Sequence, residues 1–184
     1  MDGSRQLDTK IIIVLILILG FITNIYTKFE FTNMECIATD KEYGKFDYCY
    51  LKSKNRTYKY ASMKYSTSEI LPKNLLIALT VEKRLNGYKP FLYNISVDFC
   101  RYIRNPNPGN KVANFFYSLI KPYTNINHSC AYTGDIIVDK VPISFLSYKL
   151  TELLHFPDGD YRITTYMIIK DIKRTKIMIY FKLF

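Results

Sequence analysis

The chain has no tryptophan, only two histidines (His128 and His155) and seven glycines. Each shortage closes off a class of chemistry. Neither histidine has a second ligand at metal-binding spacing, so the sequence offers no metal centre. There is no phosphate-cradling Gly-rich loop, no G-x-S-x-G and no H-E-x-x-H. The nearest paired carboxylates, Asp158 and Asp160, flank Gly159 just after Pro157, where aspartate is ordinary turn chemistry. No nucleophile and base can be nominated, so the chain is read as a non-enzyme with no catalytic residue, cofactor or metal. Positive charge is in excess, at +10, but no lysine run is dense enough for a nucleic-acid patch. Such a charge suits anionic headgroups, sulfated glycans or acidic partners, or else simply keeps exposed strand faces in solution.

Long hydrophobic runs are also missing. The longest, Ile11–Ile22, has twelve residues without a polar side chain. Crossing a bilayer core takes roughly 20 apolar residues, whereas a signal-peptide core takes about 7–15. Arg5 and Lys10 precede the run; Thr23, Asn24 and Thr27 follow it. Residues 1–27 therefore read as a signal peptide cut near Thr27, leaving 28–184 as one secreted domain. The alternative is an uncleaved anchor extended by Ile25 and Tyr26, which would tether the same domain to a membrane.

Two features beyond this run agree with export. All four cysteines, Cys36, Cys49, Cys100 and Cys130, follow it, an even number that in an exported chain implies two disulfides in one of three connectivities. Cys36 and Cys49 flank the first expected turn, which favours a bridge across the first two strands. Cys100 and Cys130 bracket a helical segment, and their bridge would close it off. Three N-x-S/T motifs also follow the run, making Asn55, Asn94 and Asn127 candidate glycosylation sites.

Alternation dominates the rest. Leu75, Ile77, Leu79 and Val81 share one strand face, and Asn86-Gly87 then marks a turn. Phe91, Tyr93, Ile95, Val97 and Phe99 form the next apolar face, with Asn94, Ser96 and Asp98 opposite. A glycan on Asn94 would need a wet face, so the odd-numbered residues must point inward. After Pro157-Asp158-Gly159, Tyr161, Ile163, Thr165, Met167 and Ile169 continue the pattern. Ile177, Ile179, Phe181 and Leu183 end it, and the polar segment 170–173 serves as their hairpin connection. The N-terminal third is less regular: Phe29 and Phe31 begin one strand, Phe46, Tyr48 and Tyr50 mark a second, and Tyr58 and Tyr60 a third. Val112, Phe116, Leu119 and Ile120 at helical spacing predict a helix over 111–120, and Ile143, Leu146, Leu150, Leu153 and Leu154 suit a second. The fold class expected is mainly β: an antiparallel two-sheet sandwich, immunoglobulin-like, with one or two short helices in its connections.

Longer stretches carry a resemblance. Tyr48-Cys49-Tyr50-Leu51-Lys52-Ser53, Lys83-Arg84-Leu85-Asn86-Gly87-Tyr88-Lys89-Pro90-Phe91, Asp98-Phe99-Cys100, Lys121-Pro122-Tyr123 to Cys130, and Phe156-Pro157-Asp158-Gly159-Asp160-Tyr161 are the residues concerned. Together they resemble a large insect family of secreted domains of unknown function. That family is distantly similar to the ML lipid-recognition superfamily and to insect chemosensory ML-like proteins. The resemblance implies a sandwich whose sheets splay to hold a lipid, a sterol or a pheromone-like molecule. The shared local feature is Pro-x-Gly-x-Tyr before the last two strands. The chain departs from the ML pattern in having no cysteine after Cys130.

On this reading the chain carries or presents an apolar ligand, with a membrane receptor as a further candidate partner. The cavity would be lined by Leu75, Ile77, Leu79, Val81, Phe91, Tyr93, Ile95, Val97 and Phe99, with Phe115, Phe116 and Leu119 as a lid or rim. The alternative is an interaction module with a filled core that binds a receptor or glycan through a basic, Tyr-rich surface. Both need the same apolar alternation, so the pattern leaves them open.

Overall fold

The computed structural model describes residues 29–55, 58–105, 110–128, 130, 132, 134–153 and 156–184. The N-terminal run, Arg56-Thr57, Ser129, Leu154 and His155 lie outside them. Eight strands make two antiparallel sheets. Their ranges are β1 Phe29–Ala38, β2 Gly44–Ser53, β3 Lys59–Thr67, β4 Leu76–Leu85, β5 Gly87–Asp98, β6 Ile136–Pro142, β7 Gly159–Ile169 and β8 Ile172–Leu183. One sheet has the order β1-β8-β7-β4-β5, the other β2-β3-β6. The helices are α1 Phe99–Arg104, α2 Lys111–Ile120 and α3 Ile143–Leu153, with a 3₁₀ turn at Lys121–Tyr123. Among the described residues no helix is long and apolar enough to cross a membrane.

The order β2-β3-β6 against β5-β4-β7-β8 is that of a fibronectin-type sandwich, with β1 added beside β8. A local device agrees. The Tyr161 hydroxyl, near the start of β7, donates to the Pro157 carbonyl four residues upstream. This is the tyrosine corner of immunoglobulin-like sandwiches, and it gives the Pro-x-Gly-x-Tyr element a physical role: the turn brings a buried aromatic back onto its own strand entry. Burial pushes the Tyr161 phenol up to about 12, so the donor stays protonated at any ordinary pH.

Turn chemistry sets the hairpins. Gly87, at φ +84°, supplies the left-handed residue of the β4–β5 turn. Lys170 and Asp171 both have positive φ and form a two-residue β7–β8 turn, tighter than the 170–173 segment expected, so Ile172 and Lys173 already belong to β8. Asp98 caps α1, its carboxylate accepting from the Arg101 amide at 2.9 Å. Asn110 caps α2 in the same way, accepting from Ala113 at 3.0 Å.

Two expectations need correction. Phe99 is not the last residue of β5; it opens α1, because Asp98 stops the strand by capping a helix. Among the described residues the connections hold three short helices rather than one or two.

Both bridges take the expected pairing, Cys36–Cys49 and Cys100–Cys130. Cys36 is on β1 and Cys49 on β2, edge strands of different sheets, so the first bridge fastens one sheet to the other. The second joins α1 to the segment beyond the 3₁₀ turn and encloses α2 in a loop of 30 residues. In the chain-entropy treatment such a loop contributes roughly 3–4 kcal/mol.

Candidate ligand cavity

The inner sheet faces do not meet everywhere. At one end they are filled by aromatic rings. Phe181 stacks on Phe29 at 5.0 Å and on Tyr161 at 5.4 Å, Phe156 stacks on Tyr161 at 5.4 Å, and Phe91 and Tyr93 close on Phe156 at 5.8 and 6.2 Å. A second buried cluster gathers Tyr65, Leu71, Leu75, Phe99, Tyr132 and Met167. A cavity of about 260 Å³ lies where the two clusters face each other. Its floor comes from the five-stranded sheet, through Ile77, Leu79, Ile95, Val97, Ile163, Thr165, Thr175 and Ile177. Its roof comes from the other sheet, through Phe46, Met63, Tyr65, Ile136 and Val138. Helix α2 contributes Ala113, Phe116 and Leu119, and α3 contributes Leu146 and Leu150.

Eight of the residues expected from sequence line this space: Leu75, Ile77, Leu79, Ile95, Val97, Phe99, Phe116 and Leu119. Val81, Phe91, Tyr93 and Phe115 lie elsewhere. Val81, with no exposed surface, belongs to the sealed aromatic half, as do Phe91 and Tyr93. Phe115 packs edge-on against Phe116 at 5.2 Å, a layer behind the wall. The alternating rows run the full length of β4 and β5, but the rings crowd only one end. The core is thus filled along part of its length and hollow along the rest.

The roof and the far half of the floor went unassigned. Strand β6 was not expected at all. Its β-branched run, Ile136-Ile137-Val138, is short, and its pairing with β3 is broken by a register shift and by Lys140 at φ +50°. Phe46 shares parity with Tyr48 and Tyr50, yet a bulge between Phe46 and Tyr48 turns Phe46 into the cavity wall and Tyr48 and Tyr50 away from it. The strongest available signal was Ile136/Val138 alternation after Gly134-Asp135.

Polar groups in the wall are few and mostly occupied. The Ser62 hydroxyl donates to Asp139 at 3.0 Å and accepts from the Lys140 amide at 2.9 Å. Tyr102 donates to Asn114 at 2.6 Å, and Tyr117 and Tyr132 donate to loop carbonyls. Tyr65 is different. It is 2% exposed and its phenol oxygen is shut in with no hydrogen-bond partner. That oxygen sits against Gly44, where a Cβ would stand 2.5 Å from it and 2.6 Å from the Ser66 carbonyl. Burial holds the Tyr65 phenol at about 12 and so neutral. An enclosed hydroxyl without a partner is a cost to the fold. Tyr65→Phe is therefore expected to stabilise the protein by about 1 kcal/mol, or roughly 2–4 °C in the thermal midpoint. Calorimetry of the two proteins checks this; an unchanged or lower midpoint means that the hydroxyl is satisfied in solution.

The outer surface has its own features. Asn55, Asn94 and Asn127 are all exposed. Tyr48, Tyr50, Tyr60 and Tyr58 form a ladder across β2 and β3, with successive ring centres 5.6, 6.3 and 5.8 Å apart. Exposed Lys52 and Lys59 lie beside it. Among the described residues no three His, Cys, Asp or Glu side chains converge to hold a metal.

Comparison with known families places one span. Residues 77–163 match the model of a protein family of unknown function, DUF1091. The span runs from β4 into β7 and includes both cysteines of the Cys100–Cys130 bridge and much of the cavity floor. No curated protein matches the chain.

Proposed function

We propose that this chain is an exported carrier or presenter of an apolar ligand, held between the two sheets. The observation that carries the reading is the cavity of about 260 Å³, walled almost wholly by aliphatic and aromatic side chains from both sheets and three helices. Apolar, concave and largely preformed is what a small-molecule site looks like. A space of this size walled by apolar groups is also a poor home for water, which needs two to four polar partners. Export is supported by the N-terminal run, the two disulfides and the exposure of Asn55, Asn94 and Asn127. The sequence's distant resemblance to ML-like and insect chemosensory ML-like proteins is in keeping with this reading. If residues 1–27 stay attached, the carrier is tethered rather than diffusing.

Filling the hole tests this. Ala113 faces the cavity from the first turn of α2. Ala113→Phe is expected to weaken displacement of an apolar fluorescent dye by at least tenfold and to leave the fold intact, because the new ring enters existing space. Native mass spectrometry of the secreted protein should show a co-purifying ligand in the parent and none in the variant. Unchanged dye binding in a folded variant, with no ligand in the parent, defeats the reading.

The tyrosine ladder supports a second reading, a glycan- or receptor-binding face on the outside of β2 and β3. Rings flanked by lysines suit stacking on sugars with charge attraction to sulfate. It predicts salt-sensitive retention on a sulfated glycan matrix that Ala113→Phe leaves unchanged.

A further inference from the structure

From the wall chemistry we infer that the ligand is small and uncharged: about ten non-hydrogen atoms, with its polarity confined to one hydroxyl or carbonyl set against Thr165 and Thr175. The inference rests on the carrier reading and narrows its ligand.

Size comes first. An apolar cavity of about 150 Å³ takes benzene, six heavy atoms. Scaled by volume, about 260 Å³ takes roughly ten. A sterol or a whole long-chain lipid is several times too large to be enclosed.

Charge comes second. Among the described residues no Asp, Glu, Lys, Arg or His lines the cavity. A carboxylate brought here would lose its hydration without gaining a counter-ion, which costs far more than the alkyl chain recovers. A fatty acid would bind only after protonation, so it is excluded at neutral pH.

Hydrogen bonding comes third. Ser62, Tyr102, Tyr117 and Tyr132 already donate within the protein. The Tyr65 oxygen is enclosed against Gly44, out of reach. Thr165 and Thr175 remain. They point inward from the adjacent strands β7 and β8, two residues apart in register, since Thr165 pairs with Ile177 and Met167 with Thr175. No hydrogen bond of either hydroxyl is found among the described residues, and neither oxygen is among the sealed ones as that of Tyr65 is. One can donate to a carbonyl or exchange hydrogen bonds with an alcohol. No other group of the described wall is free to do so.

The test is dye displacement from the secreted full-length protein at pH 8 with four probes: decane, nonan-2-one, nonanoate and hexadecan-2-one. Nonan-2-one and decane are both expected to displace the dye, and about tenfold of the ketone's affinity is expected to come from one buried hydrogen bond. Nonanoate and hexadecan-2-one are expected to bind at least tenfold more weakly than nonan-2-one. In the double variant Thr165→Val, Thr175→Val, nonan-2-one should lose about tenfold in affinity while decane is unchanged. Valine keeps the β-branched shape and removes two unpaired hydroxyls, so the fold is retained, and the thermal midpoint verifies it. Equal binding of nonanoate, tighter binding of the long ketone, or a nonan-2-one affinity unchanged by the double substitution overturns the inference while the carrier stands. If decane and nonan-2-one both fail to displace the dye, the carrier reading falls with it. Should the double variant not fold, the four-probe series on the parent alone decides.

Discussion

Phe181→Ala should remove about 3–5 kcal/mol of stability, the range for deleting a fully buried aromatic side chain. Phe181 is 1% exposed and sits mid-sheet on β8, between β1 and β7. Its register partners are Phe31 and Tyr161. Its ring lies nearly parallel to Phe29 (16°) and Tyr161 (13°), so truncation opens a void with aromatic walls on both sides. Strand backbones held by ladder bonds cannot close such a void, and cavity cost rises with the volume left unfilled. A domain of this size has roughly 5–15 kcal/mol in total. The loss should therefore appear as a fall of about 10 °C or more in the thermal midpoint, at 2–4 °C per kcal/mol. Urea unfolding at constant slope measures it. Phe181 does not line the cavity, so the folded fraction should bind the apolar dye as the parent does. A cost below about 1 kcal/mol would mean that the stack is not the sealed end of the core.

The second large effect lies on the opposite face of the same sheet. Arg162 grips Glu82 with two bonds, Nε to Oε2 at 2.7 Å and Nη2 to Oε1 at 2.8 Å, and Thr164 donates to Oε2 at 2.6 Å. The guanidinium lies 4.4 Å from the Tyr88 ring centre and 5.9 Å from that of Tyr180. The two charged side chains are only 20% and 13% exposed. Arg162→Ala leaves a sheltered carboxylate with a single hydroxyl for company, at a cost of about 3 kcal/mol, the lower end for breaking a buried pair.

The pH dependence separates this pair from mere packing. The Arg162 hydrogen bonds, and Thr164 after them, hold the Glu82 carboxyl below its ordinary 4.5 against the opposing effect of burial. A carboxyl whose pKa is depressed by folding contributes fully above its unfolded value. The contribution is lost as pH falls through the depressed value. The gap between parent and Arg162→Ala should be full at pH 7 and shrink below about pH 4, as Glu82 takes up its proton. Urea midpoints at pH 7 and pH 3 supply the comparison. An equal gap at both pH values would assign the loss to the stem of Arg162 on the tyrosine rings instead.

How far the sequence reveals this molecule depends on how regular each strand is. Strands β4, β5, β7 and β8 were legible because period-two patterns survive where both neighbours are in register and one face is buried. Helix α2 was legible at both ends because its apolar positions follow a 3.6 period after a turn signal. Strand β6 and the inward turn of Phe46 were not, because bulges shift parity and the alternating count then assigns side chains to the wrong face. Helix α1 was hidden by Phe99, which continues the β5 pattern while Asp98 quietly ends it. The cavity had the deepest obstacle. A filled half and a hollow half are built from the same residue types at the same spacing. What distinguishes them is which rings converge on Phe181 from β1 and β7, and on Tyr161 from β5 and Phe156, and that is a property of tertiary packing.

The cross-sheet disulfide has a consequence for how the sandwich can deform. Cys36–Cys49 fastens the edge strands β1 and β2, whereas β5 and β6, the other two edges, share no hydrogen bonds. The space along β5 is occupied by α2, and the 3₁₀ turn that follows rests on β6. The molecule is therefore bound like a book, with a covalent spine on one side and, on the other, a fore-edge bridged by α2 and by the segment after the 3₁₀ turn, whose Asn125 N–H donates to the Ile137 carbonyl of β6 at 3.2 Å. The weaker seam between the sheets is thus the fore-edge, where no strand of one sheet is joined covalently to a strand of the other. There α2 is itself bracketed by Cys100 and Cys130, so it shifts as one closed loop and not by unravelling from either end.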